Sequence, residues 1–190
     1  PQPTVWRLCK VLESQGYLVA EPDGRYRPGL AVLNLGYSAL NTLNIGDLAR
    51  PQLQQIADSV AGTAGVTTPE GTSMLFLQRC EARGAVLNYN MAGSVMVPIG
   101  NSASGWAYLA LLDEQTRAEM LSTLKKRDPS HAATTAKYFP AALKTYEKLG
   151  YVVNTGVFYP GLTSLAVPFR SSRRGSIYVV SCSAMSTGFP

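Results

Sequence analysis

The sequence predicts an α+β protein with a mostly antiparallel sheet, preceded by a small basic module of one helix and one hairpin. Strand-like segments are grouped on both sides of a central block of helical patterns, which is typical of α+β domains. The opening segment instead joins an apolar stripe of helical spacing to a turn signal flanked by arginines. With 190 residues, 46% of them apolar, the chain can form one full domain and one small domain.

The first predicted element is a helix that starts near Pro3 and Thr4. Arg7 and Lys10 lie off its apolar face, and Gly16 suits the left-handed residue just past its end. The apolar stripe of this helix consists of Val5, Leu8, Cys9 and Leu12.

A β-hairpin is predicted directly after this helix. Residues 17–20 are strand-like, Pro22-Asp23-Gly24 is a turn signal, and Arg25-Tyr26-Arg27 alternates as a return strand should. A helix followed by a hairpin with arginines on one arm is the order found in the second half of a winged helix-turn-helix. The alternative is an amphipathic helix and hairpin whose charges are only solvated.

A second helical pattern follows the hairpin and predicts a linker helix over residues 30–46. Asn44-Ile45-Gly46 interrupts the pattern, and Asp47 is suited to cap a third helix. The apolar positions of the second pattern are Leu30, Leu33, Tyr37 and Leu40.

The remainder of the chain alternates between strand and helix signals. The predicted strands are residues 62–68, 72–80, 84–91, 151–156, 162–170 and 176–184. The predicted helices are residues 100–112, 114–126 and 139–150, with Gly150 as the terminator of the last one.

Composition limits the classes of protein that remain. The net charge of +5 suits an anionic partner, although charge alone is weak evidence. The three cysteines are odd in number and widely separated, which favours reduced thiols in a cytoplasm. No apolar run reaches the length of about 18 residues that a spanning helix needs, so no membrane partner is expected.

Taken together, three stretches of the chain resemble the sequence motifs of one known protein family. They are TVWRLCKVLESQGYL followed by DGRYRPG and LNLG; ASGWAYLALL; and LGYVVNTGVFYPGLTSLAVPFR with SIYVVSCS. In this order and spacing they resemble the IclR family of bacterial transcription regulators, in its recognition helix and wing, its A-S-G segment and its effector pocket. The match covers nearly the whole chain.

The resemblance implies a domain organisation. Residues 1–29 would form part of a winged helix-turn-helix, residues 30–46 the linker helix, and residues 47–190 a GAF-like effector-binding domain that lacks its last helix. Family members begin with one or two further helices, so we expect the full protein to have about 40 to 60 more residues.

The function implied by the resemblance is operator binding coupled to a small ligand. Double-stranded operator DNA would be bound by a homodimer or homotetramer, whose paired heads match a palindromic site. We expect Gln2, Thr4 and Arg7 to contact base edges, and we expect Lys10, Arg25 and Arg27 to contact phosphates.

The resemblance also implies an effector pocket for a small carboxylic acid, aromatic rather than aliphatic. Its acid group would lie at the helix start near Gly105, because the first amides of a helix favour an anion. Trp106 would either form an aromatic wall of this pocket or pack into the core. The expected effector-binding residues are Leu87, Tyr89, Asn90, Gly105, Trp106, Asn154, Ser164, Ser181 and Ser183.

Two other functions are compared with this one. A serine hydrolase would need a histidine that reaches Ser104. The single histidine is His131, and we expect it to lie in an exposed loop. A sensory module without DNA binding would leave the basic helix and wing unexplained. The glycines form no phosphate or dinucleotide motif, and the cysteines and histidine have no ligand spacing, so neither cofactor nor metal is expected.

Overall fold

The computed structural model describes residues 2–43, 45–83, 96–172 and 175–187 of the chain. It divides into two compact units, residues 1–44 and residues 45–190. In the part of the chain that is described, no helix is long and apolar enough to cross a membrane.

The first unit contains the predicted helix and hairpin. Helix α1 (Gln2–Ser14) is followed by strands β1 (Leu18–Ala20) and β2 (Tyr26–Pro28), which pair antiparallel, and then by α2 (Ala31–Leu43). The turn that joins the strands is closed by a hydrogen bond from the Glu21 N–H to the Arg25 carbonyl at 2.8 Å. None of the α1 residues is buried within the described chain.

The second unit begins with α3 (Ile45–Ser59). The expectation that Asp47 caps this helix was wrong, because the helix starts two residues earlier, at Ile45, and Asp47 lies inside its first turn. Pro51 is accommodated within the helix.

Among the described residues, a sheet of six strands forms the centre of the second unit. The strands are β3 (Thr63–Glu70), β4 (Ser73–Glu81), β5 (Met96–Pro98), β6 (Val152–Thr155), β7 (Leu162–Arg170) and β8 (Ile177–Met185). Their order is β5-β4-β3-β8-β7-β6, and every neighbouring pair is antiparallel. This sheet confirms the predicted α+β class. The strand predicted at residues 84–91 lies outside the described residues.

Three helices connect β5 to β6: α4 (Ala103–Leu111), α5 (Glu114–Arg127) and α6 (Pro129–Leu149). Gly150 ends α6 in the left-handed conformation (φ 79°), as predicted. The loop predicted around His131 was wrong. This segment is the first turn of α6, because the Asp128 carboxylate caps the helix and Pro129 occupies its first position.

The two faces of the sheet are covered by different helices. The larger core lies on the face packed against α4 and includes Met74, Ile99, Leu109, Leu124 and Val179. The smaller core lies on the opposite face, under α3, and includes Leu53, Ala57, Val66, Cys80 and Tyr178. Strand alternation sends neighbouring residues to opposite faces, and β4 and β8 each contribute residues to both cores.

Candidate effector site

A row of polar residues crosses five strands of the sheet. The strand registers pair Glu81 with Thr63, Thr63 with Ser183, Ser183 with Ser164, and Ser164 with Asn154. Residues paired directly across antiparallel strands share one face of the sheet. The Ser164 and Ser183 hydroxyls are 2.8 Å apart and form a hydrogen bond.

The start of α4 lies against this face. Ser102 caps the helix, with its Oγ accepting the Gly105 N–H at 3.0 Å and donating to the Pro98 carbonyl at 2.6 Å. A Cβ on Gly105 would lie 2.2 Å from the Ile99 carbonyl oxygen. Position 105 therefore requires glycine so that the two backbones can approach.

A small cavity, here called the serine cavity, lies between the helix start and the sheet. It has a volume of about 30 Å³, which is room for about two water molecules. Its side-chain hydroxyls come from Thr63, Ser102, Ser104, Ser164, Ser181 and Ser183, and its other walls include Phe76, Phe158 and Arg79.

Several donors in the serine cavity are unused. The Thr63, Ser104 and Ser181 side chains are 6%, 4% and 8% exposed, and their hydroxyls form no hydrogen bond with any described residue. The N–H groups of Ala103 and Ser104 open the helix and have no intrahelical partner. These groups line the cavity and are free to bond a molecule that enters it, and together with the amides of the helix start they suit an anionic or strongly accepting ligand.

Arg79 is the one charged side chain among the described residues that line the serine cavity. Its side chain is 19% exposed and lies 3.2 Å from the Glu81 carboxylate, which is 68% exposed. The guanidinium carbon is 6.0 Å from the centre of the Phe76 ring. Sequence reasoning missed both Arg79 and Phe76.

A β-bulge explains why they were missed. Val66 pairs with Gln78 but Thr67 pairs with Phe76, so Leu77 is an extra residue in β4. Strict alternation would put Phe76 and Arg79, three positions apart, on opposite faces. The bulge brings both to the cavity face.

Trp106 lies away from the serine cavity. It is 2% exposed, its Nε1 donates to the Gly100 carbonyl at 3.0 Å, and its ring stacks on Tyr138 with centroids 6.4 Å apart. The structure favours the core-packing interpretation of this residue. Phe158, next to the half-exposed Tyr159, lines the cavity instead.

Asn154 belongs to the polar row but does not line the cavity. Its Nδ2 donates to the Asn101 carbonyl at 2.8 Å, and its Oδ1 accepts the N–H groups of Val157 and Phe158 at 3.3 and 3.2 Å. Asn154 therefore holds the turn that positions the Phe158 ring. The expected contacts Leu87, Tyr89 and Asn90 lie outside the described residues.

The described residues of the sheet face under α3 form an apolar core. Cys182 points to that face and packs against its core, and burial raises the pKa of the Cys182 thiol. Among the described residues no cluster of His, Cys, Asp or Glu could hold a metal ion.

The serine hydrolase alternative lacks its catalytic pair. The His131 Nδ1 lies 2.6 Å from the Asp128 carboxylate, whose pKa is lowered mainly by that hydrogen bond. Within the described structure no hydrogen bond joins His131 to Ser104, and His131 does not line the serine cavity.

A second, larger opening lies between α5 and α6. It has a volume of about 560 Å³ and is lined mainly by apolar groups such as Leu121, Ala132 and Phe139. Thr135 lies in its wall, but the Thr135 hydroxyl is already bonded to the Gly100 carbonyl at 2.7 Å. Specific ligand sites need convergent polar groups, so the serine cavity is the better candidate.

The residues expected to contact DNA all lie at the surface of the first unit. Arg25 pairs with Asp23 and Arg27 with Glu21, each at 2.6 Å. Lys10 pairs with Glu13 at 2.7 Å. The six exposed residues are Gln2, Thr4, Arg7, Lys10, Arg25 and Arg27; Arg7 forms no ion pair with any described residue.

The cavity between the sheet and the start of α4 is rich in hydrogen-bond donors, and the described residues contain no nucleophile–base pair. This combination is characteristic of a small-molecule-binding domain. The sequence model of the family described as "Bacterial transcriptional regulator IclR C-terminal" matches residues 37–189. The chain therefore belongs to the IclR family of transcriptional regulators and is not an enzyme.

Individual relatives agree with this assignment. The HTH-type transcriptional regulator TsaQ1/TsaQ2 of Comamonas testosteroni is 25% identical over 192 residues, which covers 100% of this chain and 69% of that protein. The crystal structure of an IclR family transcriptional regulator from Brucella abortus is 29% identical with a TM-score of 0.86, and covers 100% of this chain and 72% of that one.

One further relative was crystallised with a ligand. The structure of an IclR homologue from Microbacterium hydrocarbonoxydans, complexed with 4-hydroxybenzoate, is 25% identical with a TM-score of 0.70. The alignment covers 97% of this chain and 76% of that one.

Proposed function

We propose that this regulator senses a small aromatic carboxylic acid in the serine cavity and that the ligand changes its binding to operator DNA. One observation carries the proposal: the hydroxyls of Thr63, Ser104 and Ser181 line the cavity and, like the N–H groups of Ala103 and Ser104, form no hydrogen bond with a described residue. A carboxylate accepts several hydrogen bonds at once and fits such a set of donors.

The apolar part of the ligand has its own walls. The rings of Phe76 and Phe158 line the cavity beside the serines, and aromatic side chains favour an aromatic ligand. The relative complexed with 4-hydroxybenzoate supports this choice of ligand class.

The size of the cavity suggests how binding is coupled to a change of state. An aromatic ring needs several times the volume of about 30 Å³ that the serine cavity offers. A more open arrangement of the cavity would bind such a ligand better, and a ligand with differential affinity of this kind shifts the balance between two states.

The first unit would supply the contacts to DNA. Arg7 is exposed and free of ion pairs among the described residues, so it is available to read a base edge. Arg25 and Arg27 are held in exposed ion pairs, which contribute little stability and can be exchanged for phosphates. We infer a homodimer or homotetramer acting in the cytoplasm, because paired heads match a palindromic operator.

The DNA part of the proposal is tested by separating phosphate contacts from base contacts. In the full-length protein, Arg25→Ala or Arg27→Ala should weaken binding to all sequences and flatten its salt dependence. Arg7→Ala should cost about 1–3 kcal/mol at the cognate site and relax base preference. Equal effects of Arg7→Ala and Arg27→Ala on cognate and random DNA would contradict this division of roles.

The ligand part is tested by calorimetric titration with benzoate and with pyruvate. Ser181→Ala should weaken acid binding by about ten- to a hundredfold, as expected for the loss of a hydrogen bond to a charged group. Binding of DNA without ligand should not change. Ser122→Ala, in an exposed position of α5, is the matched control. Unchanged affinity in Ser181→Ala would locate the ligand elsewhere.

A further inference from the structure

We infer that Arg79 holds the acid group of the ligand, and that Glu81 occupies the same position on Arg79 when no ligand is bound. The inference rests on the proposed function, since it concerns the same cavity. It assigns the selectivity for acids over neutral ligands to Arg79 and Glu81 instead of to the serines. Arg79 and Glu81 are two positions apart on β4 and share the face that carries the cavity.

The side chains of Arg79 and Glu81 differ in their exposure to solvent. The Arg79 side chain is 19% exposed, whereas the Glu81 side chain is 68% exposed. Glu81 can therefore move into water with little change in its solvation, but Arg79 cannot follow it. A guanidinium left in a largely enclosed position requires another anion, and a ligand carboxylate in the cavity would supply one.

The Arg79 guanidinium lies beside an aromatic surface. Arg79 pairs with Gly65 in the sheet, and Gly65 pairs with Ser181 on its other side. The Phe76 ring covers Gly65, since a Cβ there would lie 2.6 Å from that ring. The Arg79 guanidinium lies over the Phe76 ring, 6.0 Å from the ring centre, so a cation and an aromatic surface lie side by side in the wall of the cavity, as binding of an aromatic acid requires.

The Arg79 guanidinium and the serine hydroxyls differ in how they distinguish acids from neutral ligands. Hydroxyls such as those of Ser104 and Ser181 can donate or accept, so they bind a carboxylate and a carboxamide alike. A guanidinium only donates and carries a full charge, and it binds carboxylates with two parallel hydrogen bonds. Arg79 is therefore the group that separates an acid from its amide.

The competition with Glu81 has a consequence of its own. An acid that takes the position of the Glu81 carboxylate on Arg79 competes with that carboxylate, which lowers the apparent affinity. Removing the charge of Glu81 should consequently tighten acid binding, whereas removing Arg79 should weaken it. A role of this pair in packing alone would not produce opposite effects.

The test is calorimetric titration of the full chain with three acids and their amides: benzoate, 4-hydroxybenzoate and pyruvate. Arg79→Met should weaken acid binding by about ten- to a hundredfold and change amide binding by less than about threefold. Glu81→Gln should tighten acid binding by about two- to fivefold and leave amide binding unchanged. Arg50→Met is the matched control, because Arg50 lies on α3 and bonds Gln78 on the opposite face of the sheet.

Each result separates this inference from the proposed function. If the wild type binds acids and Arg79→Met binds them equally well, the inference is overturned and acid sensing stands. If Arg79→Met weakens acids and amides alike, the residue only shapes the cavity, and the inference is again overturned. Should Arg79→Met fail to fold, an unchanged acid affinity in Glu81→Gln overturns it. A wild type that binds none of the six compounds overturns both proposals.

Discussion

Replacing Trp106 by alanine should destabilise the second unit strongly while leaving the ligand site intact. The indole is 2% exposed, stacks on Tyr138 and donates to the Gly100 carbonyl at 3.0 Å. Truncation of a buried tryptophan costs about 3–5 kcal/mol. The Thr135 hydroxyl also donates to the Gly100 carbonyl, at 2.7 Å, so this oxygen keeps a partner. We therefore expect the lower half of the range, about 3–4 kcal/mol.

The measurement is urea denaturation followed by circular dichroism. The expected loss is a large part of the total of about 5–15 kcal/mol that stabilises a typical domain, so Trp106→Ala should fold but show a much lower midpoint. Trp106→Phe keeps most of the apolar surface and should lose about 1–2 kcal/mol. The reasoning would be refuted if the alanine variant were as stable as the wild type and bound bulkier or aliphatic acids in preference to aromatic ones. The indole would then be part of the ligand site.

Three further predictions concern the supports of the site. Gly105→Ala should lower stability by about 1–3 kcal/mol in denaturant titrations, because its Cβ would lie 2.2 Å from the Ile99 carbonyl oxygen; an unaffected midpoint would mean that the helix start can shift. Arg117→Met should cost about 1–3 kcal/mol in the same assay, because the guanidinium binds the last carbonyls of α4 at distances down to 2.6 Å; the prediction fails if exposed-helix control substitutions cost as much. The pKa of Asp128 is lowered from 3.8, first by the His131 side chain, so its stabilisation is present above pH 3.8 and lost as pH falls through the lower folded pKa. Thermal melts from about pH 5 to pH 2 should show a weaker decline for Asp128→Asn than for the wild type, and parallel curves would contradict this assignment.

Much of the secondary structure could be predicted because its causes are local. The terminator Gly150, the turn at Pro22-Asp23-Gly24 and the alternation in residues 176–184 all act through neighbours in sequence. The errors occurred where a helix starts without an apolar periodicity. Helix α6 begins at Pro129 on a cap from Asp128, and α3 begins before Asp47.

The candidate site was predictable only in part. Alternation along β8 correctly put Ser181 and Ser183 on one face, and both line the serine cavity together with Ser164. The sequence alone permits Trp106 to lie either in the pocket wall or in the core, because one helix residue next to Gly105 can face either the sheet or a neighbouring helix. Its contact with Tyr138 on α6 depends on the packing of two helices, which no local pattern encodes.

The sequence by itself determined the order of helices and strands, the helix and hairpin of the first unit, the family and the serines on one strand face, because each of these depends on residue types at short spacing. Tertiary structure alone decided which side chains share the cavity. The row from Glu81 to Asn154 exists only in the strand order β4-β3-β8-β7-β6, and Arg79 joins Phe76 only because β4 carries an extra residue at Leu77. Strand order and a bulge arise from pairing between distant segments, where hydrogen bonds and burial across the sheet outweigh the local period of two residues.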